Sequence, residues 1–336
     1  MSACANLGRD PGRLAVIEGA RPRTASASPY AGFDAHPRSA ALAAALGLSF
    51  TAIFFALSDA SPVTATVYRC AYALPILWWL ARREDRAAGP RPWKARRWAA
   101  LAGVFFAIDL VLFHQSILLM GAGLASVMSN LQVVVVLLAA WLLWGERPSA
   151  RQAIGIPIAL VGIVLISGIL DASAFGSDPV TGSLLGILVA ISYAAYLLLI
   201  RKGRDLEHAA GPILDATLAC ALAALAAGAV SGELDLLPSL PGHVWLLLLA
   251  LSAQVAGSVM IAVALPRLPA ATTSLILLVQ PVLAVFLAML LLSEAPSPMQ
   301  LLGVGLVVGG ILLGSASRPS ARPGVEVAGP GVAGGT

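Results

Sequence analysis

Residues 125–167, ASVMSNLQVVVVLLAAWLLWGERPSARQAIGIPIALVGIVLIS, recur 148 positions later as residues 273–315, TSLILLVQPVLAVFLAMLLLSEAPSPMQLLGVGLVVGGILLGS, without a gap. Over 122–167, sixteen of forty-six residues are identical to their counterparts. Leucine and valine matches come free in apolar sequence. Gln132/Gln280, Glu146/Glu294, Pro148/Pro296, Ser149/Ser297, Gln152/Gln300, Gly155/Gly303 and Gly162/Gly310 in a single register do not. The chain is therefore read as two copies of one structural unit.

What those units live in follows from composition. Hydrophobic residues make up 59 % of the 336 residues and charged residues 11 %, far from soluble averages. Crossing the ~30 Å hydrocarbon layer takes about 20 apolar residues. Such segments follow one another at 39–57, 62–81, 98–119, 124–144, 153–170, 182–200, 212–229, 244–265, 270–292 and 299–315. Lipid cannot satisfy free backbone groups, and the segments are too long and uniformly apolar for barrel strands, so they are expected to be helices. The predicted fold class is an all-α polytopic membrane protein of ten transmembrane helices, as two inverted five-helix repeats at 39–171 and 182–317. The ends, 1–38 and 318–336, rich in Arg, Ser, Pro, Ala and Gly, read as disordered cytoplasmic tails.

Charge orients the helices. Of 21 Lys and Arg residues, all but Arg69 lie outside the spans, and a cytoplasmic N-terminus puts every one of those on the cytoplasmic side. Asp59, Asp171, Asp178, Glu233, Asp235 and Glu294 fall on the opposite side. Trp78, Trp79, Trp98, Trp141 and Trp144 cluster near the cytoplasmic boundary, as amphipathic rings should. The net charge of +4 is thus a topology signal for a cytoplasmic membrane, and no nucleic-acid partner is expected. Five helices per unit is an odd number, so the second copy enters from the other side. The basic GERPSAR at 145–151 faces the cytoplasm, whereas its counterpart SEAPSPM at 293–299 has lost both arginines. Inverted repeats characterise alternating-access carriers, with the site near mid-membrane between the halves.

The pattern Ser126, Gln132, GERPS, Gln152, Gly155 and Gly162, answered by Ser274, Gln280–Pro281, SEAPS, Gln300, Gly303 and Gly310, resembles the EamA-type permeases of the drug/metabolite transporter (DMT) superfamily. The resemblance covers both halves and extends to Arg69 in VYRCAYALP, where that family often carries an arginine in its second span. It implies a ten-helix secondary transporter, commonly an exporter of amino acids or other small polar metabolites, with the lipid bilayer and a small solute as partners. Family members often carry a proline where this chain has Val133.

Ionisable side chains at membrane depth cost roughly 2.5–3.5 kcal/mol by insertion scales, so each needs a partner or a task. Arg69 and Asp109 lie at overlapping depths and are expected to pair or to share water in a central cavity, sensing substrate or proton; the alternative is an Arg69 that snorkels to the exterior interface or locks a helix. His114 is about 140° round the helix from Asp109 and reads as a packed histidine. Gln132 and Gln280 are placed near mid-membrane by the inversion, and their neutral amides suit zwitterionic or hydroxylated solutes. Asn130, Gln254, Tyr193 and Tyr196 are candidates to join them, interhelical bonding being their other common use. Pro281 removes a backbone bond to Leu277, which predicts a kink in the ninth span. Glu146 and Glu294 end helices at opposite surfaces as a shared joint, with gating as the lesser alternative. Asp215, just after Gly211 and Pro212, reads as a first-turn acid favoured by the helix dipole.

No cofactor or metal is expected, since Cys4, Cys70 and Cys220 have no ligand spacing. An enzyme is the contrasting class, but there is no HExxH, P-loop or serine with an activating histidine. An organophosphate or nucleotide-sugar antiporter would want more cavity cations than Arg69, and a small-multidrug-type antiporter a glutamate in the first span. Proton coupling stays open, and the small-residue faces at Gly182/Gly186, Gly305/Gly309 and Gly310/Gly314 suit internal packing or a homodimer.

Overall fold

A computed structural model describes residues 36–145, 148–203, 208–264, 268 and 270–315. The expected terminal tails fall almost wholly outside the described residues, as does Glu146. Every regular element among the described residues is helical: α1 (Pro37–Ser49), α2 (Thr51–Ser58), α3 (Pro62–Ala88), α4 (Trp93–Met120), α5 (Ala122–Ser129), α6 (Gln132–Trp144), α7 (Ala150–Ile166), α8 (Pro179–Lys202), α9 (Ala210–Ser231), α10 (Leu240–Leu249), a π-helical segment Ala250–Gly257, α11 (Ser258–Ala264), α12 (Ala270–Leu291) and α13 (Pro298–Ser315).

The ends of these helices are written in the sequence. Ser61, Asp178 and Ser239 each accept a backbone N–H of the first turn, and a proline follows in the first helical positions. Ser149 and Gln152 form a reciprocal capping box at the start of α7. Ser297 and Gln300 do the same at α13: Ser297 Oγ accepts from the Gln300 amide and Gln300 Oε1 from the Ser297 amide. The Pro-Ser-x-x-Gln part of the recurring motif is therefore a helix-start device.

Among the described residues six helices are long and apolar enough to cross a membrane: Pro37–Ser58 (α1 with α2), Trp93–Met120, Ala122–Ala139, Pro179–Lys202, Ala210–Ser231 and Leu240–Ala264. Shorter apolar helices run over Ala150–Ile166, Ile276–Leu291 and Pro298–Gly314. The 27-residue α3 spans about 40 Å at ~1.5 Å per residue, but it carries Tyr68, Arg69 and Tyr72 and is more polar than the six. The chain is a multi-pass membrane protein, and its burial pattern fits that solvent. Leu160, Val161, Leu184, Leu222, Phe286 and Leu290 point outward, while the interior is lined largely by alanines, with Arg69, Asp109, His114 and Gln254 among them.

Small residues set how closely the rods approach. α7 crosses α13 on its glycines: a Cβ on Gly162 would lie 2.7 Å from the Gly303 carbonyl oxygen, one on Gly303 2.7 Å from that of Gly162, and one on Gly310 2.5 Å from that of Gly155. Gly182 and Gly186 seat α8 on Met120 and Met128, whereas Gly305 and Gly309 face open space. The helix ends bearing Glu84, Arg91 and Arg201 are called the basic face below; those bearing Asp171, Asp178 and Glu294 are called the acidic face.

Candidate functional site

Helices α3, α4, α8 and α9 pack together and carry Arg69, Asp109, Tyr193 and Tyr196, with Gln254 bonded to side chains of α3 and α9. Arg69, only 4 % exposed, projects from α3. Its Nε donates to Gln254 Oε1 at 3.0 Å, and Gln254 Nε2 donates to Thr217 Oγ1 at 2.8 Å. One amide thus binds an arginine from α3 and a hydroxyl from α9. Arg69 Nη1 is buried and has no hydrogen-bond partner. Its guanidinium carbon lies 5.9 Å from the centre of the Phe106 ring, within cation–π range. Phe106 stacks on Tyr196 at 4.7 Å and Tyr193 sits 5.3 Å from Tyr196, so an aromatic wall stands beside the arginine.

Asp109 is buried on α4. No ion pair joins it to Arg69; the ion pairs among the described residues are Arg91–Asp215, Arg96–Asp215 and His208–Asp85. Direct contact needs the azimuth round each helix to match as well as the depth, and Arg69 turns to Gln254 instead. That orientation has a backbone cause. Gln254 lies in the π-helical segment, where one extra residue per turn shifts side-chain direction, a distortion frequent at functional sites. Nor does Arg69 snorkel to the interface, because Gln254 holds its Nε inside.

The candidate span Ala122–Ala139 is interrupted at Asn130–Leu131, between α5 and α6. There the amides of Asn130 and Leu131 bond three residues back, to Val127 and Met128. The Ser126 carbonyl takes Asn130 Nδ2 at 2.8 Å in place of the Asn130 backbone amide. Asn130 is thus a structural replacement for a lost helix bond, which is how a broken helix is tolerated in lipid. Gln132 opens α6 immediately beyond the break and is half-buried, as is Gln280 on α12. Pro281 lies within α12, which passes through it as one element.

His114 is fully buried, stacks on Phe55 at 4.2 Å and sets Nδ1 3.2 Å from both the Pro62 carbonyl and Thr66 Oγ1. It packs α2, α3 and α4 together.

Two carboxylates tie the helix ends. Glu294 accepts the amides of Ala122 and Gly123 at the start of α5, from a loop 171 positions further along the chain. Its neighbour Gly121 has φ +93°, and a Cβ there would lie 2.9 Å from the carboxyl carbon, so both backbone conformation and space ask for glycine. Burial raises the Glu294 pKa, opposed by the two amides. Asp171 accepts from Ser173 and Ser297, which hold its pKa below the ordinary value. On the basic face Glu84 accepts the amides of Ala209, Ala210 and Gly211, capping α9. Asp215 lies beyond the first turn of α9, and Arg91 at 2.8 Å and Arg96 at 3.4 Å compensate it rather than the helix dipole.

Residues 39–168 and 180–316 each match the EamA-like transporter family. The chain belongs to that family. It is accordingly a membrane transporter of the DMT superfamily. An uncharacterised protein of Pseudomonas aeruginosa is 33 % identical over 222 residues, 66 % of this chain and 74 % of that protein. A solved protein crystal structure with 19 % identity covers 83 % of this chain and 97 % of its own at a TM-score of 0.58, a likeness of fold. Within this permease, Gln254 as the partner of Arg69 and Glu84 as the cap of α9 were not singled out by sequence reasoning. The signal for Glu84 was faint: an acid amid the arginines of RREDR.

Proposed function

We propose that this EamA-family chain is a secondary transporter that moves small zwitterionic metabolites, amino acids or close relatives, by alternating access through its polar centre, in the direction of export. The observation that carries this reading is the unpartnered Nη1 of Arg69 in the same helix group as the buried Asp109, with no salt bridge between them. An arginine and a carboxyl group held apart match a solute with a carboxylate at one end and an ammonium at the other. The carboxylate would complete Arg69, whose Nε is already held by Gln254, and bidentate recognition by arginine is its natural use. Tyr193, Tyr196 and Phe106 would flank the solute.

The halves are proposed to be inverted, ten spans in all, with the basic face and both termini in the cytoplasm of a cell bounded by this membrane. The reciprocal glycine contacts support this arrangement. Exchanging each residue with its counterpart 148 positions away turns the Gly155–Gly310 contact into Gly303–Gly162, the other contact seen.

Transport into inside-out vesicles of radiolabelled neutral amino acids tests the reading, against the same side chains presented as amines without the carboxylate. Wild-type protein is expected to carry the zwitterion. Arg69→Gln should lose most of that rate and Asp109→Asn should lose selectivity for the ammonium end. Unchanged rates in both variants would remove Arg69 and Asp109 from the solute path.

A further inference from the structure

A second polar site lies on the basic face, away from the helix centres. Between α3, the turn at 89–92, α4 and α9 is a cleft of about 190 Å³ whose polar lining is Arg82, Asp85, Arg91, Arg96 and Asp215, with Trp78 at its edge. Gly89 ends α3 with φ +92° and Pro90 and Pro92 flank Arg91, so the backbone that carries Arg91 has little freedom. The Arg91 side chain is 6 % exposed; it binds Asp215 through Nη2, while Nε and Nη1 have no hydrogen-bond partner. A buried guanidinium with two of three nitrogens unmet is an uncommon and costly arrangement.

Charge in the cleft runs in the same direction. Three arginines face two carboxylates, and Asp215 is already engaged by Arg91 and Arg96. Arg96 is half exposed, so its guanidinium is free to turn toward an incoming group. The surroundings say where that group comes from. Trp78 and Trp79 are about half exposed beside the cleft, with Arg82 over the Trp78 ring at 5.1 Å and Arg83 over the Trp79 ring at 3.8 Å. Exposed tryptophans capped by arginines mark a headgroup boundary rather than open water.

We propose that this cleft binds a phosphate ester, and that the ester is the phosphodiester headgroup of an anionic phospholipid in the adjoining leaflet, seated on Arg91 with Arg82 and Arg96 closing over it. Basic pockets between membrane helices suit such headgroups. The site is independent of the transport reading, since none of its residues reaches the Arg69–Gln254 centre.

The test is native mass spectrometry of the full chain released from micelles containing equimolar phosphatidylglycerol and phosphatidylcholine, repeated with inorganic phosphate added. Removing Arg91 alone would strand Asp215, so the main variant is Arg91→Gln with Asp215→Asn; Arg82→Gln is the milder second. Wild-type protein should retain phosphatidylglycerol at least fivefold over phosphatidylcholine. That preference should fall close to one in the double variant, fall severalfold in R82Q, and survive millimolar phosphate. Equal retention of the two lipids by the wild type would overturn the proposal, as would a wild-type preference in the double variant. Loss of bound lipid to millimolar phosphate would show a free-phosphate site and overturn the lipid assignment.

Discussion

The α7–α13 crossing rests on backbone-to-backbone contacts at paired glycines, which leave no room for a methyl group. In Gly162→Ala the new methyl would sit 2.7 Å from the Gly303 carbonyl oxygen and 2.9 Å from the Val307 nitrogen, both backbone atoms. Ordinary contact begins near 3.4 Å; the Val307 side chain, 2.8 Å away, can turn aside but the two backbone atoms cannot, so the helices must separate. Overpacking of this kind costs about 1–3 kcal/mol, offset by the roughly 0.8–1 kcal/mol that alanine gains over glycine in a helix. The net is a destabilisation of about 0–2 kcal/mol, or up to a few degrees in the melting temperature of the detergent-solubilised protein. Gly303→Ala meets its mirror contact at the same 2.7 Å and should cost the same. One separation relieves both clashes, so the double variant should fall short of additivity by about 0.5–1 kcal/mol. Gly305→Ala, facing open space, is the control and should melt at or slightly above the wild type. If G162A melted with the wild type while G305A melted lower, the close crossing would be refuted.

Two further outcomes follow from the helix-end carboxylates. Glu84→Gln keeps the shape but gives up charge-assisted acceptance from Ala209, Ala210 and Gly211; a loss of about 1.5–3 kcal/mol is expected, read as early hydrogen exchange at the start of α9. Glu294 has its folded pKa raised above the ordinary 4.5 by burial, so the folded state holds the proton more tightly than the unfolded one. Stability should therefore be highest below pH 4.5 in respect of this group and decline as pH rises through the raised folded value. Glu294→Gln should flatten that limb of the melting-temperature profile, and a profile unchanged by the substitution would contradict the assignment.

The all-helical, multi-pass character was legible because its signals are periodic and local. Apolar segment length, a repeat anchored by Glu, Pro, Ser and Gln, and helix starts such as Ser61–Pro62 and Asp178–Pro179 need no knowledge of distant residues. The polar interior was legible only as a set of candidates. Arg69 and Asp109 stood out by the cost of burying charge, yet the partner of Arg69 turned out to be Gln254, 185 positions away, aimed by a π-helical segment that no sequence period announces. Pro281 predicts a kink in its helix, yet α12 runs through it as one element. The span Ala122–Ala139 is interrupted at Asn130, whose side chain stands in for a backbone amide without a proline. Glu294 read as the end of its own helix, and its carboxylate caps another. Long-range partners of this sort depend on rotation about helix axes, and a residue's distance along the chain says nothing of that.

The layer around Arg69 and Asp109 is proposed to open to each face in turn around one solute. Its most direct test is labelling of Tyr193→Cys, in a chain whose Cys4, Cys70 and Cys220 are alanine, by a membrane-impermeant maleimide applied to one side of sealed vesicles and then, separately, to the other. The account predicts reaction from both sides, slowed from both by a transported zwitterion. Reaction from one side alone, indifferent to solute, would contradict it.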